Sequence, residues 1–176
     1  YLAFVEKSGA MYICEMETGE LTEVDVEPGG HEPPMRWSHD SRWILYTRSG
    51  ENLQSSIWVY EVESGDKHQL TSGMFSDRSP TFDREGKYMY FVSSRNFNMP
   101  IYEDVGSTFV YTGTQVLVAV PLQADAEYPW TPDNDQETWD EDKDEDEEED
   151  EDKEEDEKKD KDKDKDKEEE VKIDLE

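Results

Sequence analysis

A repeat at a spacing of about 45 residues constrains the fold of this 176-residue chain more than any other feature of its sequence. The stretch 37–49 aligns with 82–94, and aromatic residues then coincide at three positions. These are Trp37 with Phe82, Trp43 with Tyr88, and Tyr46 with Phe91. A second element, 11–19, matches 57–65, and 117–122 is a weaker third copy. A period near 45 with several strands in each unit is typical of a β-propeller, whose blades are about 40–50 residues long.

Local composition predicts short strands and tight turns in each repeat, with little or no helix in residues 1–130. The stretches 42–47 and 87–93 are rich in β-branched and aromatic residues, which favour strands. Gly19 and Gly65 each end a turn triplet, where a hairpin needs a residue that tolerates positive φ. The predicted strands lie around Trp37 and Phe82 and at 42–48, 87–93, 57–62, 11–16, 67–71 and 21–25.

The number of repeats is smaller than a closed ring needs. A blade cannot bury both of its faces alone, and the smallest propellers contain about four blades. This chain holds two full repeats with fragments on either side. The sequence therefore predicts an all-β fold, a partial β-propeller made of the last two to three four-stranded blades, followed by a disordered acidic linker.

Charge divides the chain into a foldable part and an acidic tail. Of the 48 Asp and Glu residues, 26 lie in the stretch 133–170 together with 8 Lys, whereas residues 1–132 carry 20 acidic and 9 basic residues. A segment this polar cannot bury a core. We expect blades in 1–130 and an acidic low-complexity linker in 131–170. Residues 171–176 alternate apolar and polar side chains, so we expect them to be the first strand of a following domain.

Several functional classes are disfavoured. No apolar run approaches the roughly 18 residues that cross a membrane. The net charge of −30 repels phosphate backbones, which argues against nucleic-acid binding. The single cysteine, Cys14, cannot form an internal disulfide, and nothing indicates an oxidising compartment. The chain opens directly on a strand-like stretch at 1–5, as expected of a piece cut from a longer protein.

No residue stands out as catalytic, cofactor-binding or metal-binding. The Ser-His-Asp triplet at 38–40 cannot converge as a catalytic triad must, because its members are adjacent in a turn. His31, His39 and His68 lack the spacing of a metal site. Cys14 fits a small buried apolar side chain better than a nucleophile. The aligned aromatic residues fit a core between blades better than a ligand cage.

The second repeat carries an insertion at 95–116, where the first repeat has about eight residues. This insertion is rich in aromatic residues. Long loops with apolar residues of their own are usually functional or pack on a neighbour. We therefore expect one of these two roles for residues 95–116.

The repeat motif itself resembles a known family. The stretches 37–43 and 82–88 are similar to the WD40-like repeat of TolB and tricorn propellers, whose common form is Trp-Ser-Pro-Asp-Gly-Lys. Here His39 and Arg84 replace the proline, and Ser41 replaces the glycine.

A longer succession is more specific. The run 69–98, followed by 109–111, 120–122 and 128–130, closely resembles the end of the first, six-bladed propeller of bacterial tricorn-like proteases. Residues 171–176 then resemble the strand that opens the second, seven-bladed propeller of that family. By this resemblance the acidic stretch is an enlarged linker between the two propellers.

The resemblance implies a large cytoplasmic serine peptidase that trims peptides and assembles as a homo-oligomer. Its catalytic residues would lie far C-terminal to this segment, so none is inherited here. The segment would form part of a channel that guides peptides to the active site or products away from it. Its partners would be peptides and other domains of the same polypeptide, with no cofactor. The negative charge of residues 1–132 would favour basic peptides.

Two other functions stay open at this point. A TolB-type propeller could act as a protein-binding scaffold without enzyme activity. Alternatively, the acidic stretch could be the active part and bind basic proteins.

Overall fold

The repeats fold into antiparallel β-sheets, in a computed structural model that describes residues 1–97, 99–104, 106, 108–126, 130 and 170–175. Blade 1 contains β1 (Leu2–Val5), β2 (Ala10–Cys14) and β3 (Leu21–Val26). Blade 2 contains β4 (Arg36–Trp37), β5 (Trp43–Ser49), β6 (Ser55–Glu61) and β7 (Lys67–Gln69). Blade 3 contains β8 (Asp77–Phe82), β9 (Tyr88–Ser93) and β12 (Val116–Pro121), with β9 in the centre. A separate ribbon, β10 (Tyr102–Asp104) and β11 (Thr108–Val110), interrupts blade 3 in sequence.

The predicted all-β partial propeller is confirmed, and each strand predicted from the repeat is present within a few residues of its expected position. The described residues contain no helix, and therefore none that could cross a membrane. The prediction of a disordered linker at 131–170 falls outside the described residues, apart from Glu170.

Equivalent turns in blades 1 and 2 are built from the same hydrogen bonds. The amide of Gly19 donates to the carbonyl of Glu15 at 2.8 Å, and the hydroxyl of Thr18 donates to the Glu15 carboxylate. In blade 2 the amide of Gly65 donates to the carbonyl of Glu61 at 2.9 Å. Both glycines have positive φ, 74° and 77°, which residues with a Cβ rarely adopt. The predicted need for glycine in these turns is confirmed.

Blade 2 is buried on both faces, because successive side chains of β5 point to opposite sides. Ile44 and Tyr46 pack against blade 1, and Leu45 packs against blade 3. The cluster between blades 1 and 2 also contains Met11, Ile13, Val24 and Tyr60. The cluster between blades 2 and 3 also contains Trp43, Ile57, Val59, Met89, Phe91, Leu122 and Val171. Three of the six aligned aromatic residues, Trp43, Tyr46 and Phe91, thus lie buried between blades.

The segment 170–175 belongs to the same compact unit as residues 1–126. It was expected to be the first strand of a following domain, but it lies against blades 2 and 3 in no regular strand. The side chain of Val171 is only 2 % exposed. Whether a further domain follows this segment stays a prediction.

Candidate functional site

The Ser-His-Asp triplet at 38–40 forms a turn, as the sequence predicted. The Ser38 hydroxyl donates to the Asp40 carboxylate at 2.6 Å and accepts the Trp43 amide at 3.0 Å. Burial raises the pKa of Asp40, but hydrogen bonds from the Ser38 hydroxyl and from the amides of Val171 and Arg42 outweigh it, so the net shift is downward. The Ser38 hydroxyl is therefore used to hold the turn.

The other chemistry-bearing residues singled out in the sequence lie apart. His31 follows β3, His39 lies in the turn before β5, and His68 lies on β7. Within the described residues, no group of three or more His, Cys, Asp and Glu side chains could hold a metal ion. Cys14 is half-buried, so the expectation of a buried side chain was wrong. Cys14 and Ile13 are neighbours on β2, so their side chains point to opposite faces of the sheet. Ile13 lies on the face that packs against blade 2.

A charged cluster that the sequence analysis missed joins blades 1 and 2. Asp25 at the end of β3 is 8 % exposed. Its carboxylate accepts the Tyr46 hydroxyl at 2.9 Å and the Lys67 ammonium at 3.4 Å. Burial raises the pKa of Tyr46 strongly, and the charge and hydrogen bond of Asp25 add to the shift. A charged residue inside a strand pattern was the signal available in the sequence.

Arg48 extends this cluster toward the surface. Its guanidinium carbon lies 5.3 Å from the centre of the Trp58 ring, in cation–π geometry. Arg48 Nε lies 3.8 Å from the Asp25 carboxylate and has no hydrogen-bond partner among the described residues. Tyr46 and Lys67 donate the hydrogen bonds to the Asp25 carboxylate, so Arg48 forms only a longer ion pair with it.

Arg48 and Trp58 line an open cavity of about 470 Å³ at one edge of blade 2. Polar side chains complete its wall, including Asn52, Gln54 and Gln69. Guanidinium and amide groups donate hydrogen bonds to carbonyl and carboxylate oxygens, which every peptide carries. Glu51, which also lines the cavity, would repel an acidic ligand and attract a basic one.

The aromatic insertion forms the β10–β11 ribbon and its base. All six residues of these two strands are exposed. At the base, Phe97 contacts Phe75 and Tyr111, with ring centres 6.2 Å and 5.9 Å away, and Arg95 lies over Phe75. The Asn96 side chain donates to the carbonyl of Gly113 at 2.9 Å, which ties the two ends of the insertion together. The insertion is thus a projecting ribbon with an ordered aromatic base.

Comparison with known proteins identifies relatives of this fold. A family model described as the second β-propeller domain of tricorn protease matches residues 1–176. This match confirms the resemblance to tricorn propellers, and its description names the second propeller, where the sequence analysis placed these blades in the first. The crystal structure of the tricorn protease matches 76 % of this chain and 15 % of its own, with a TM-score of 0.62 at 21 % identity, which supports the fold.

Curated relatives match parts of the chain. Tricorn protease homolog 1 of Streptomyces coelicolor is 28 % identical over 103 residues, which are 58 % of this chain and 10 % of that protein. The putative tricorn-like protease C-terminal subunit of Sulfurisphaera tokodaii is 31 % identical over 88 residues, or 50 % of this chain and 10 % of that protein. A TolB homolog of Chlorobium chlorochromatii is 36 % identical over 98 residues, or 54 % of this chain and 21 % of that protein. The chain thus spans about a tenth of the tricorn relatives.

Proposed function

We propose that this chain, which belongs to the family of second β-propeller domains of tricorn proteases, is a non-catalytic propeller segment of a serine peptidase. Its blades would form part of the wall of a channel that guides peptides to a distant active site or products away from it. The observation that carries the proposal is the family match over residues 1–176.

The packing of the blades suits a rigid wall. Blade 2 buries one face against blade 1 and the other against blade 3, so its strands cannot shift without opening an apolar cluster. The Asp25–Tyr46 hydrogen bond adds a directional contact across the first of these interfaces. A wall of this kind would act by geometry, admitting extended peptides and excluding folded protein.

Charge would make this wall selective. Residues 1–132 carry 20 acidic and 9 basic residues, so basic peptides should concentrate near it and acidic peptides should be repelled. Cleavage of matched basic and acidic peptides by the parent enzyme, at low and high salt, tests this. We expect faster cleavage of the basic peptide at low salt and a smaller difference at high salt. Equal rates at low salt would contradict the charge selectivity.

The parent peptidase is testable with an antibody raised against residues 1–126. Immunoblotting of a cell extract should show a polypeptide several times longer than 176 residues, and the immunoprecipitate should cleave peptides. Antibody absorbed beforehand with the purified chain is the control. A band of 176 residues, or a long polypeptide without peptidase activity, would contradict the proposal. The same extract, fractionated by compartment and by size, tests the proposed cytoplasmic location and homo-oligomeric assembly.

A scaffold without enzyme activity is the second candidate, favoured by the 36 % identity to a TolB homolog over about half of this chain. In that case the propeller would present a protein-binding surface. The immunoprecipitate would then contain a partner protein and no peptidase activity, and the protein would fractionate with the periplasm.

A further inference from the structure

The segment 170–175, which we call the C-terminal strap, is held to blade 2 by its backbone. The amide of Val171 donates to the Asp40 carboxylate at 2.7 Å, and the Trp43 indole donates to the carbonyl of Val171 at 3.0 Å. Beside them, Arg42 forms an ion pair with Glu170 at 2.9 Å. The 38–43 turn, which includes the first residue of β5, therefore binds both main-chain polar groups of Val171 and the side chain of Glu170.

The other half of the strap is held to blade 3. The amide of Asp174 donates to the carbonyl of Leu122 at 2.8 Å, and its carboxylate accepts the amide of Ala124 at 2.8 Å. Between these contacts, Val171 is buried in the cluster shared by blades 2 and 3, and Ile173 packs against that cluster. The strap thus bridges two blades with main-chain and apolar contacts together.

Gly86 leaves room for the strap. It lies in the turn before β9, which is the equivalent in blade 3 of the turn that holds Val171 in blade 2. A Cβ at Gly86 would overlap the Cγ2 atom of Val171 and lie 2.9 Å from the His39 ring. The equivalent turns of both repeats therefore frame the position of Val171.

We infer that the groove between the 38–43 turn and residues 122–124 is a binding site for an extended segment, and that the strap is its occupant. The described chain then leaves blade 3 after Ala126 and returns to blades 2 and 3 at Glu170, with the acidic stretch between these two points. This stretch is an insertion within one propeller, whereas the resemblance implied a linker between two propellers. This inference goes beyond the proposed function and does not depend on peptidase activity.

The family match supports the same organisation. The family model of a single propeller domain matches residues 1–176, a range that includes the acidic stretch and the strap. The strap also shares a compact unit with residues 1–126. A first strand of a following domain would need its apolar side chains for the core of that domain, whereas Val171 is already buried against Trp43 and Leu122.

Hydrogen exchange of the full 176-residue chain, read by mass spectrometry, tests the inference. We expect the amides of Val171 and Asp174 to exchange at least about tenfold more slowly than their intrinsic rates in an unfolded chain, because both donate hydrogen bonds. Val171→Ser should remove most of this protection by taking an apolar side chain out of the cluster. Lys172→Ser is the matched control, since Lys172 is exposed, and it should leave the exchange within about twofold of wild type.

Two further readouts separate loss of the strap from loss of the fold. Peptides covering β5 and β6 should stay protected in Val171→Ser. Gly86→Ala, whose Cβ would overlap Val171 and would also strain a turn with a φ of 69°, should release the strap as well. The Trp43 indole resonance should shift in both variants and not in Lys172→Ser, because only the strap carbonyl accepts its hydrogen bond. Strap amides that exchange at their intrinsic rates in the wild type would overturn the inference. Equal exchange in Val171→Ser and Lys172→Ser would also overturn it, and neither result would bear on the peptidase.

Discussion

Replacing Tyr46 by Phe removes one hydroxyl group from the interface between blades 1 and 2. The ring is fully buried, so the variant keeps its packing against Met11 and Val24. The hydroxyl donates to the Asp25 carboxylate at 2.9 Å, and Asp25 also accepts the amide of Val26 and the ammonium of Lys67. The substitution therefore deletes one charge-assisted hydrogen bond and leaves the carboxylate with other donors.

The expected cost at pH 8 is about 2 kcal/mol of unfolding free energy, the central value for a hydrogen bond to a charged group. This cost should depend on pH in a direction set by the raised pKa of Tyr46. A phenol whose pKa is raised by folding contributes stability that is fully present below its unfolded value of about 10 and is lost as pH rises toward the folded value. At pH 11 ionisation of the unfolded phenol should reduce the contribution by about 1.4 kcal/mol.

Urea unfolding of the chain at pH 8 and pH 11, followed by far-ultraviolet circular dichroism, measures both quantities. The wild type should exceed Tyr46→Phe by about 2 kcal/mol at pH 8 and by about 0.6 kcal/mol at pH 11. Tyr12→Phe is the control at pH 8, because its hydroxyl bonds Glu23 on the exposed surface, and it should not change stability measurably. A difference that is constant or larger at pH 11 would refute the assigned role of the Tyr46 hydroxyl.

Three more substitutions test other parts of the fold. Leu45→Ala should cost about 2–5 kcal/mol in urea unfolding, because Leu45 is fully buried between blades 2 and 3, whereas Leu53→Ala at an 86 % exposed position should cost under about 0.5 kcal/mol. Asp40→Asn should be less stable than wild type at pH 6, and the difference should shrink below about pH 4, because a carboxylate with a lowered pKa stabilises the fold above its unfolded value and loses this effect as pH falls through the folded value. Gly19→Ala and Gly65→Ala should each cost about 1–2 kcal/mol, and the costs should add in the double variant because the turns lie on different blades.

The blades could be predicted from the sequence because a propeller repeats both its strands and its core. Aligning the repeats placed Tyr46 and Phe91 at equivalent positions, and the structure buries both between blades. The turns followed from Gly19 and Gly65, because few other residues adopt the required positive φ. These features depend on residues close together in sequence, which is why pattern analysis found them.

The missed features depend on a local irregularity in one blade and on a contact between distant segments. Asp25 and Val24 are both buried although they are neighbours on one strand, because an irregularity in the pairing of β2 with β3 interrupts the alternation. Strict alternation of side chains along β3 would have left one of these two residues exposed. The burial of Val171 depends on a groove assembled from two blades, and the short apolar pattern at 171–175 gives no information about that groove.

The strap also has a consequence for the order of folding. Neighbouring strands within a blade are joined by short turns or, between β9 and β12, by the 95–116 insertion, whereas Trp43 and Val171 are 128 residues apart. The entropic cost of closing a loop grows with the logarithm of its length. Once blades 2 and 3 have formed, docking the strap closes only the span of about 50 residues from Leu122 to Asp174, which lowers the closure cost by about 0.8 kcal/mol. We therefore expect refolding to show a faster phase as the blades form, followed by a slower phase in which the fluorescence of Trp43 reports arrival of the strap.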